Sequence, residues 1–357
     1  GTVRAVFPAL VVALALRPAC TTSSFPAPAP RPAGAGEPAG NCTSIMVGRL
    51  ASTDGSVITS HTCDGNYRTW VEVVPARQHE EGAEAVVRKG TMHTEFPSDR
   101  RGVEEMGRIP QVAATHAYLN TAYPAMNEHQ LAIGESTFGG RRELRSKEGL
   151  FHVEELQRLA LQRCRTARDA VQLMGRLACE HGYVDGGEAL TVADPEEVWH
   201  MEILGPGKGR KGALWAAVRI PDDHVGVAAN VCRIGTLDLE RPDRFLASPN
   251  VISLAEEKGW WDPEEGRPFS FWRAYGGTKK AFKVREFWVL SRLAPSLGLD
   301  FDEAEELPLS VKPERKVSVR DIFAFFRGTY EGSRFELTRK LEVKDRRSGK
   351  MVTSSYV

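Results

Sequence analysis

Cys42 is the residue of this 357-residue chain whose reactivity would change most if the polypeptide were cleaved directly before it. It follows a segment with the composition of a removable leader and directly precedes the first predicted strand. Cleavage before Cys42 would place a thiol and a free α-amine on one residue. An α-amine has a pKa of about 7.7–8.0, so its neutral form can accept the thiol proton near neutral pH. The position of Cys42 therefore predicts a thiolate that attacks a carbonyl carbon.

The segment before Cys42 predicts a signal or pro-segment over residues 1–41. Arg4 precedes an apolar run from Ala5 to Leu16, and a stretch rich in Pro, Ala, Gly and Ser follows it up to Gly40. The apolar run is shorter than the roughly 20 residues of a membrane span and has the length of a secretory signal core. We therefore expect an exported protein, with residues 42–357 as the folded domain and no membrane span after processing.

Composition excludes several classes of function. The chain has 47 basic and 47 acidic residues, and no basic patch interleaved with aromatics stands out, so nucleic acid is not an expected partner. The nine histidines show no H-x-x-x-H spacing and the cysteines no C-x-x-C spacing. We therefore expect no metal and no cofactor, and no disulfide framework. Homo-oligomerisation remains open.

The hydrophobic pattern predicts an α+β fold with antiparallel sheets, because strands, helices, strands and helices follow one another. The expected strands are Thr43 to Gly48, Ser56 to Thr62, Trp70 to Val74, Ala189 to Ala193, Val198 to Leu204, Ala213 to Ile220 and Val225 to Asn230. The expected helices are Val153 to Arg163, Ala167 to His181, Lys283 to Leu293 and Val319 to Phe326. A polar stretch from His79 to Arg101 is expected to be loop that could include one further strand.

The first two strands are expected to form a hairpin that positions a carboxylate beside Cys42. Asp54 and Gly55 are typical of a tight turn between them. Such a turn would bring Asp64 within about 5–8 Å of Cys42, where it could orient the terminal amine. The alternative is that Asp64 only begins the turn that continues with Gly65 and Asn66.

Three motifs carry a resemblance to a known group of enzymes. They read N-C-T-S-I-M-V-G (41–48), A-S-T-D-G-S-V-I-T-S-H-T-C-D-G (51–65) and A-M-N-E-H-Q-L-A-I-G-E-S-T-F (125–138). The chain resembles the dipeptidase A family of N-terminal nucleophile cysteine hydrolases, with penicillin V acylases, bile-salt hydrolases and secernins as more distant relatives. The resemblance implies a four-layer αββα sandwich and the hydrolysis of dipeptides through a thioester intermediate.

The resemblance also assigns roles to individual residues. Cys42 matches the nucleophile that leader removal exposes, and Asp64 matches the carboxylate that contacts its amine. Asn127 matches an asparagine that stabilises the oxyanion, although a turn residue before a strand would look the same. Asn230 resembles a second active-site asparagine. Arg285 resembles a late active-site arginine, or is a solvated helix charge.

His61 is a further candidate, and it departs from the family pattern. It stands where relatives often have an arginine, three residues before the aspartate. An imidazole is shorter than a guanidinium and is charged for only part of the time near neutral pH. The chain also stops where relatives usually continue, so we expect it to be incomplete at its C-terminal end.

Alternatives to the dipeptidase remain. The first is an acylase that cleaves non-peptide amides with the same nucleophile, and the second is a secernin-like protein that acts by interaction without catalysis. The partners expected are dipeptides or small amides. Four aromatic residues could line a substrate pocket or pack in the core. They are Trp260, Trp261, Trp272 and Tyr275.

Overall fold

The computed structural model describes residues 42–63, 65, 67–337, 341–344 and 348–354. The leader (1–41) and Asp64 lie outside the described residues. In this part of the chain the helices are α1 (Val153–Arg163), α2 (Ala167–His181), α3 (Ser253–Glu257), α4 (Val284–Leu293) and α5 (Val319–Arg327). None of the described helices has both the length and the apolar character to cross a bilayer.

Within the described ranges, the strands belong to two large antiparallel sheets and three two-stranded ones. The four-stranded sheet has the order β16-β14-β1-β2, and the eight-stranded sheet has the order β15-β13-β12-β11-β10-β9-β8-β3. The strands are β1 (Ser44–Val47), β2 (Ile58–His61), β3 (Glu72–Val74), β4 (Arg77–Gln78), β5 (Glu84–Lys89), β6 (Glu104–Pro110), β7 (Ala114–Thr115), β8 (Tyr118–Asn120), β9 (Met126–Asn127), β10 (Ala132–Gly139), β11 (Gly187–Ala193), β12 (Val198–Leu204), β13 (Leu214–Arg219), β14 (Val225–Ala228), β15 (Phe245–Ala247), β16 (Ser310–Val311), β17 (Leu341–Lys344) and β18 (Met351–Ser354).

Helices α1 and α2 cover one face of the eight-stranded sheet, and both have the predicted bounds. The hydroxyl of Thr166 accepts a hydrogen bond from the Asp169 backbone N–H and caps the start of α2, while Gly182 ends it at a positive φ of 86°. The apolar faces of the two helices share a core with the sheet, which includes Leu156 of α1 and Trp199 of β12. This packing holds the eight-stranded sheet in place against α1 and α2.

Helices α4 and α5 cover the four-stranded sheet, where Trp288 and Ile322 pack against Ile45 of β1 and Val227 of β14. Between the two sheets lies a small cluster that joins the strands directly, formed by Met46, Ala193, Val198 and Ile220. The chain is therefore a mixed α+β protein with antiparallel sheets, as predicted, and its two large sheets contact each other.

The predicted pairing of the first two strands is confirmed, but the tight turn between them is wrong. β1 and β2 are antiparallel, with Ser44 opposite His61. The connection runs from residue 48 to residue 57 instead, because backbone bonds tie it to other segments: Leu50 N–H donates to Asp222 O, and Thr53 N–H to Val317 O. The register still continues past β1, since Thr62 N–H donates to Thr43 O at 2.9 Å.

The stretch from His79 to Arg101, expected to be loop that could include one further strand, contains the strand β5. It pairs with β6 in an antiparallel hairpin. Val87 and Ile109 of this hairpin are buried in the core beneath α1, so their burial favours strands despite the polar residues between them.

The four aromatic residues that could have lined a substrate pocket pack in the core. Trp272 and Tyr275 are buried in one core cluster, and Trp260 and Trp261 pack against it.

Candidate active site

Cys42 lies just before β1 and is almost completely buried, with 1% of its surface exposed. Its backbone is held from two sides. Cys42 O accepts a hydrogen bond from Arg285 Nη1 at 2.5 Å and a longer one from Ser136 Oγ at 3.5 Å. The next residue is fixed as well, since Thr43 N–H donates to Thr62 Oγ1 at 3.0 Å. These contacts give the thiol a defined position between the two large sheets.

Arg285 joins three segments of the chain at this point. It stands in the first turn of α4, and its guanidinium also donates to Thr43 Oγ1 at 2.9 Å, to Asn230 Oδ1 at 2.9 Å and to Ala229 O at 3.3 Å. A guanidinium suits this role because its planar fork can donate several hydrogen bonds at once. Arg285 is thus engaged with the site and is not a solvated helix charge.

Asn230 follows β14 with a backbone φ of 55°, a left-handed conformation that asparagine tolerates better than most residues. Its backbone N–H donates to Ser136 Oγ at 3.0 Å, and its Nδ2 donates to Thr137 O at 2.6 Å. Since Ser136 and Arg285 both contact Cys42, the structure brings Cys42, Asn230 and Arg285 into one hydrogen-bonded group. One of the two Nδ2 hydrogens is sufficient for the Thr137 contact.

Asn127 is used differently. Its Nδ2 donates to Leu161 O and to Cys164 O, each at 2.8 Å, and its Oδ1 accepts from two backbone N–H groups of the turn that follows, at His129 and Leu131. Both hydrogens of the side-chain amide are therefore committed to the end of α1. The structure places Asn127 as a link between β9 and α1, and these contacts do not join it to Cys42.

His61 lies on β2, and its ring faces β10. A Cβ placed on Gly134 would approach His61 Nδ1 to 2.6 Å, so the glycine makes room for the imidazole. Burial lowers the pKa of His61 and favours its neutral form. The neutral ring cannot supply the fixed positive charge of an arginine at this position.

Cys63 and Glu135 were missed by the sequence analysis. Continuation of the β1–β2 register places Cys63 opposite Cys42, and Glu135 Oε1 of β10 lies 3.9 Å from the sulfur of each. Burial, with a smaller contribution from the neighbouring Cys42, raises the pKa of Glu135 to about 7. The signal in the sequence was a glutamate directly after an apolar run, in L-A-I-G-E-S-T-F.

Among the residues that the structure describes, two groups of side chains have the spacing of metal ligands. One is Cys42, Cys63 and Glu135 at the site, whose ligand atoms lie within 4.8 Å of one another. The other is His116, Glu128 and His129 near the surface, with the same limit. Sequence spacing could not reveal either group, because each is assembled across strands.

A separate polar cavity of about 350 Å³ lies beside α1 and is lined by charged residues that include Arg68, Asp99, Glu154 and Arg158. Its lining does not contain Cys42, Asn230 or Arg285. Its charges already serve the fold, since Arg158 pairs with Glu155 at 2.7 Å and Glu154 accepts from Met92 N–H. We therefore place the chemistry at Cys42.

Comparison with known proteins relates this chain to peptidases. Residues 41–352 match the model of peptidase family C69. A probable dipeptidase of Salmonella dublin is 27% identical over 315 residues, which cover 82% of this chain and 67% of that protein. A probable dipeptidase of Latilactobacillus sakei is 26% identical over 313 residues, covering 83% and 62%. The chain thus spans roughly two thirds of the length of these relatives.

Proposed function

The chain belongs to peptidase family C69, and from this premise we propose that it hydrolyses the peptide bond of dipeptides with Cys42 as the nucleophile. The family membership confirms the resemblance drawn from the motifs and supports a hydrolase that acts on peptide bonds. The names of the relatives, which are probable dipeptidases, support dipeptides as the substrates. The observation that carries the proposal is the convergence of Arg285 and Asn230 on Cys42 at the start of the first strand.

In the proposed reaction, removal of residues 1–41 frees the α-amine of Cys42, which accepts the proton of its own thiol. The thiolate forms a bond to the carbonyl carbon of the substrate. The second Nδ2 hydrogen of Asn230 donates to the oxyanion that develops there, and loss of such a donor typically costs about 3–4 kcal/mol of barrier. The C–N bond then breaks, and the protonated amine gives its proton to the leaving amine.

Water hydrolyses the resulting thioester by the same route, releasing the carboxylic acid and restoring the thiol. Arg285 does not touch the substrate in this scheme. It is a positioning residue that holds Cys42 O and Asn230 Oδ1, and so fixes the nucleophile relative to the oxyanion donor. We further propose that Asp64 orients the amine, that the layers form the αββα sandwich of N-terminal nucleophile hydrolases, and that the protein is exported.

The test combines the state of the N-terminus with turnover. The full chain is purified from a host that processes it, its N-terminus is determined by mass spectrometry, and release of amino acids from dipeptides is measured. We expect Cys42 at the N-terminus of the active form and no turnover by Cys42→Ala. Cys179→Ser, which removes a thiol on α2, serves as the control and should remain active. Turnover by a chain whose Cys42 nitrogen is still in a peptide bond would contradict the mechanism.

A further inference from the structure

We propose that the carboxylates of Glu135 and Glu188 form the subsite that binds the α-ammonium group of the substrate, so that Cys42 cleaves after the first residue of peptides with a free N-terminus. The inference rests on the proposed function, since it takes Cys42 as the nucleophile. It goes further because it names the group of the substrate that is recognised and the residues that recognise it.

The two carboxylates lie side by side on one face of the eight-stranded sheet. Glu188 of β11 stands opposite Thr137 of β10, and Glu135 is two residues before Thr137, so the two glutamates are diagonal neighbours. They interact through a side-chain hydrogen bond, in which one of the two carboxyl groups carries the proton. Since Glu135 Oε1 lies 3.9 Å from Cys42 Sγ, the pair is next to the nucleophile.

The pair is buried and incompletely satisfied. Glu135 has 0% and Glu188 4% of its surface exposed, and Glu188 Oε2 is buried without a hydrogen-bond partner. The charged groups that act on both carboxyls include a further acid, Asp185. A buried carboxylate oxygen is costly unless it is paired. A small cation with N–H donors would satisfy this oxygen and stabilise the ionised form of the pair.

Distances from the sulfur indicate which ammonium group the glutamate pair can bind: the one on the residue whose carbonyl carbon is attacked. In a peptide the terminal nitrogen is two bonds from the first carbonyl carbon, or about 2.5 Å. The sulfur approaches that carbon to about 3–3.5 Å before attack, and an ammonium lies about 2.8 Å from a carboxylate oxygen. A carboxylate a few ångströms from the sulfur therefore reaches the ammonium of the residue being attacked. An ammonium one residue farther away would lie roughly 3.8 Å beyond it.

The same arrangement discriminates against amides without this charge. An N-acylated peptide or a fatty amide would bury the glutamate pair without supplying a partner, and sites built around a polar partner reject analogues that lack it strongly, by up to about 10⁴-fold. The pair thus favours a dipeptidase over an acylase of non-peptide amides.

The first experiment measures binding without turnover. Isothermal titration calorimetry on the processed Cys42→Ser chain compares alanyl-alanine with its des-amino analogue, propionyl-alanine. We expect alanyl-alanine, which has the free amine, to bind at least 10-fold more tightly than propionyl-alanine. Hydrogen bonds to charged groups in buried sites contribute a free energy that corresponds to about this factor. Glu188→Gln should remove most of this preference, while Glu154→Gln, which alters a buried carboxylate on α1, should retain it. Equal binding of the two ligands, or an unchanged preference in both Glu188→Gln and Glu135→Gln, would overturn the inference.

The second experiment measures kcat/KM for the same two compounds in the chain with Cys42 intact. The preference for the free amine should fall by about 10-fold or more in Glu188→Gln, mainly through KM. If the chain binds alanyl-alanine selectively but does not hydrolyse it, the proposed function fails and the ammonium subsite stands. If it hydrolyses both compounds at equal rates, the subsite fails and the proposed function stands.

Discussion

Arg285 donates a hydrogen bond to the carbonyl oxygen of Cys42, although the two residues are 243 positions apart in the chain. The same guanidinium holds Asn230 Oδ1, so one side chain sets the distance between the proposed nucleophile and the proposed oxyanion donor.

We expect Arg285→Met to lower kcat roughly 10- to 100-fold, because charge-assisted hydrogen bonds in buried sites contribute about 1.5–3 kcal/mol each. KM for a dipeptide should change less, since Arg285 does not contact the substrate. Arg292→Met, on the same helix, is the control; Arg292 donates to Glu331 O near the surface. Steady-state kinetics checks this, and equal losses in the two variants would remove Arg285 from the site.

The two asparagines are expected to separate into a catalytic and a structural residue. Asn230→Gly retains the left-handed backbone and removes the side chain, so kcat should fall roughly 10²- to 10³-fold. Its loss of stability should be smaller than that of Asn127→Ala, because the Asn230 side chain bonds one backbone carbonyl and Arg285, whereas the Asn127 side chain bonds four backbone groups. Asn127→Ala leaves buried backbone groups of α1 unpaired and should lower the free energy of unfolding by about 2–3 kcal/mol. Kinetics and urea unfolding of both variants test the division. The opposite pattern would restore Asn127 as the oxyanion donor.

The glutamate beside Cys42 predicts a pH-dependent stability. Burial raises the pKa of Glu135 to about 7 in the folded chain, from an ordinary value of 4.5. Its contribution is therefore fully present below about pH 4.5 and is lost as the pH rises through 7, because only the unfolded chain ionises freely in that range. Glu135→Gln lacks this loss, so its stability relative to the wild type should increase between pH 5 and pH 8.

Urea unfolding at several pH values measures this difference, with Glu143→Gln as an exposed control that should show a constant difference. The other titratable groups that face or act on Glu135 belong to several elements and remain unchanged in the variant: Cys42, Cys63, Tyr67, Tyr123, Tyr183, Asp185 and Glu188. A difference that stays flat for Glu135→Gln would contradict the raised pKa.

The packing of α2 on the eight-stranded sheet can be tested with a single methyl group. A Cβ on Gly175 would lie 2.3 Å from the ring of Trp215, whereas nothing lies within 4 Å of a Cβ on Gly186. Gly175→Ala should therefore lower the free energy of unfolding by about 1–3 kcal/mol, although alanine is the better helix former. Gly186→Ala should be close to neutral. Thermal unfolding of both variants decides, and a stabilised Gly175→Ala would refute this packing.

Sequence patterns were sufficient where the cause is local. The apolar spacing of α1 and α2, with Thr166 and Gly182 as caps, determined both helices to the residue. The antiparallel pairing of β1 and β2 was also predicted, but its register was not, because a tight turn at Asp54 and Gly55 would not place Ser44 opposite His61. The ten-residue connection was not predictable, because distant backbone groups at Asp222 and Val317 hold it.

The site was predictable only in part, for a related reason. Cys42, Asn230 and Arg285 were found by motif, and the structure brings them together. Motif comparison could not reveal that the hydrogens of Asn127 are used by α1. Glu135 became a candidate only when β10 was seen against the start of β1, because contacts between the two sheets follow from packing and leave no spacing in the sequence.

The span between Arg285 and Cys42 has a consequence for biosynthesis. A ribosome makes Cys42 early and α4 late, so the thiol emerges long before the guanidinium that anchors it exists. On the proposed mechanism, a nascent chain therefore carries Cys42 in a site that is assembled only after synthesis has passed α4.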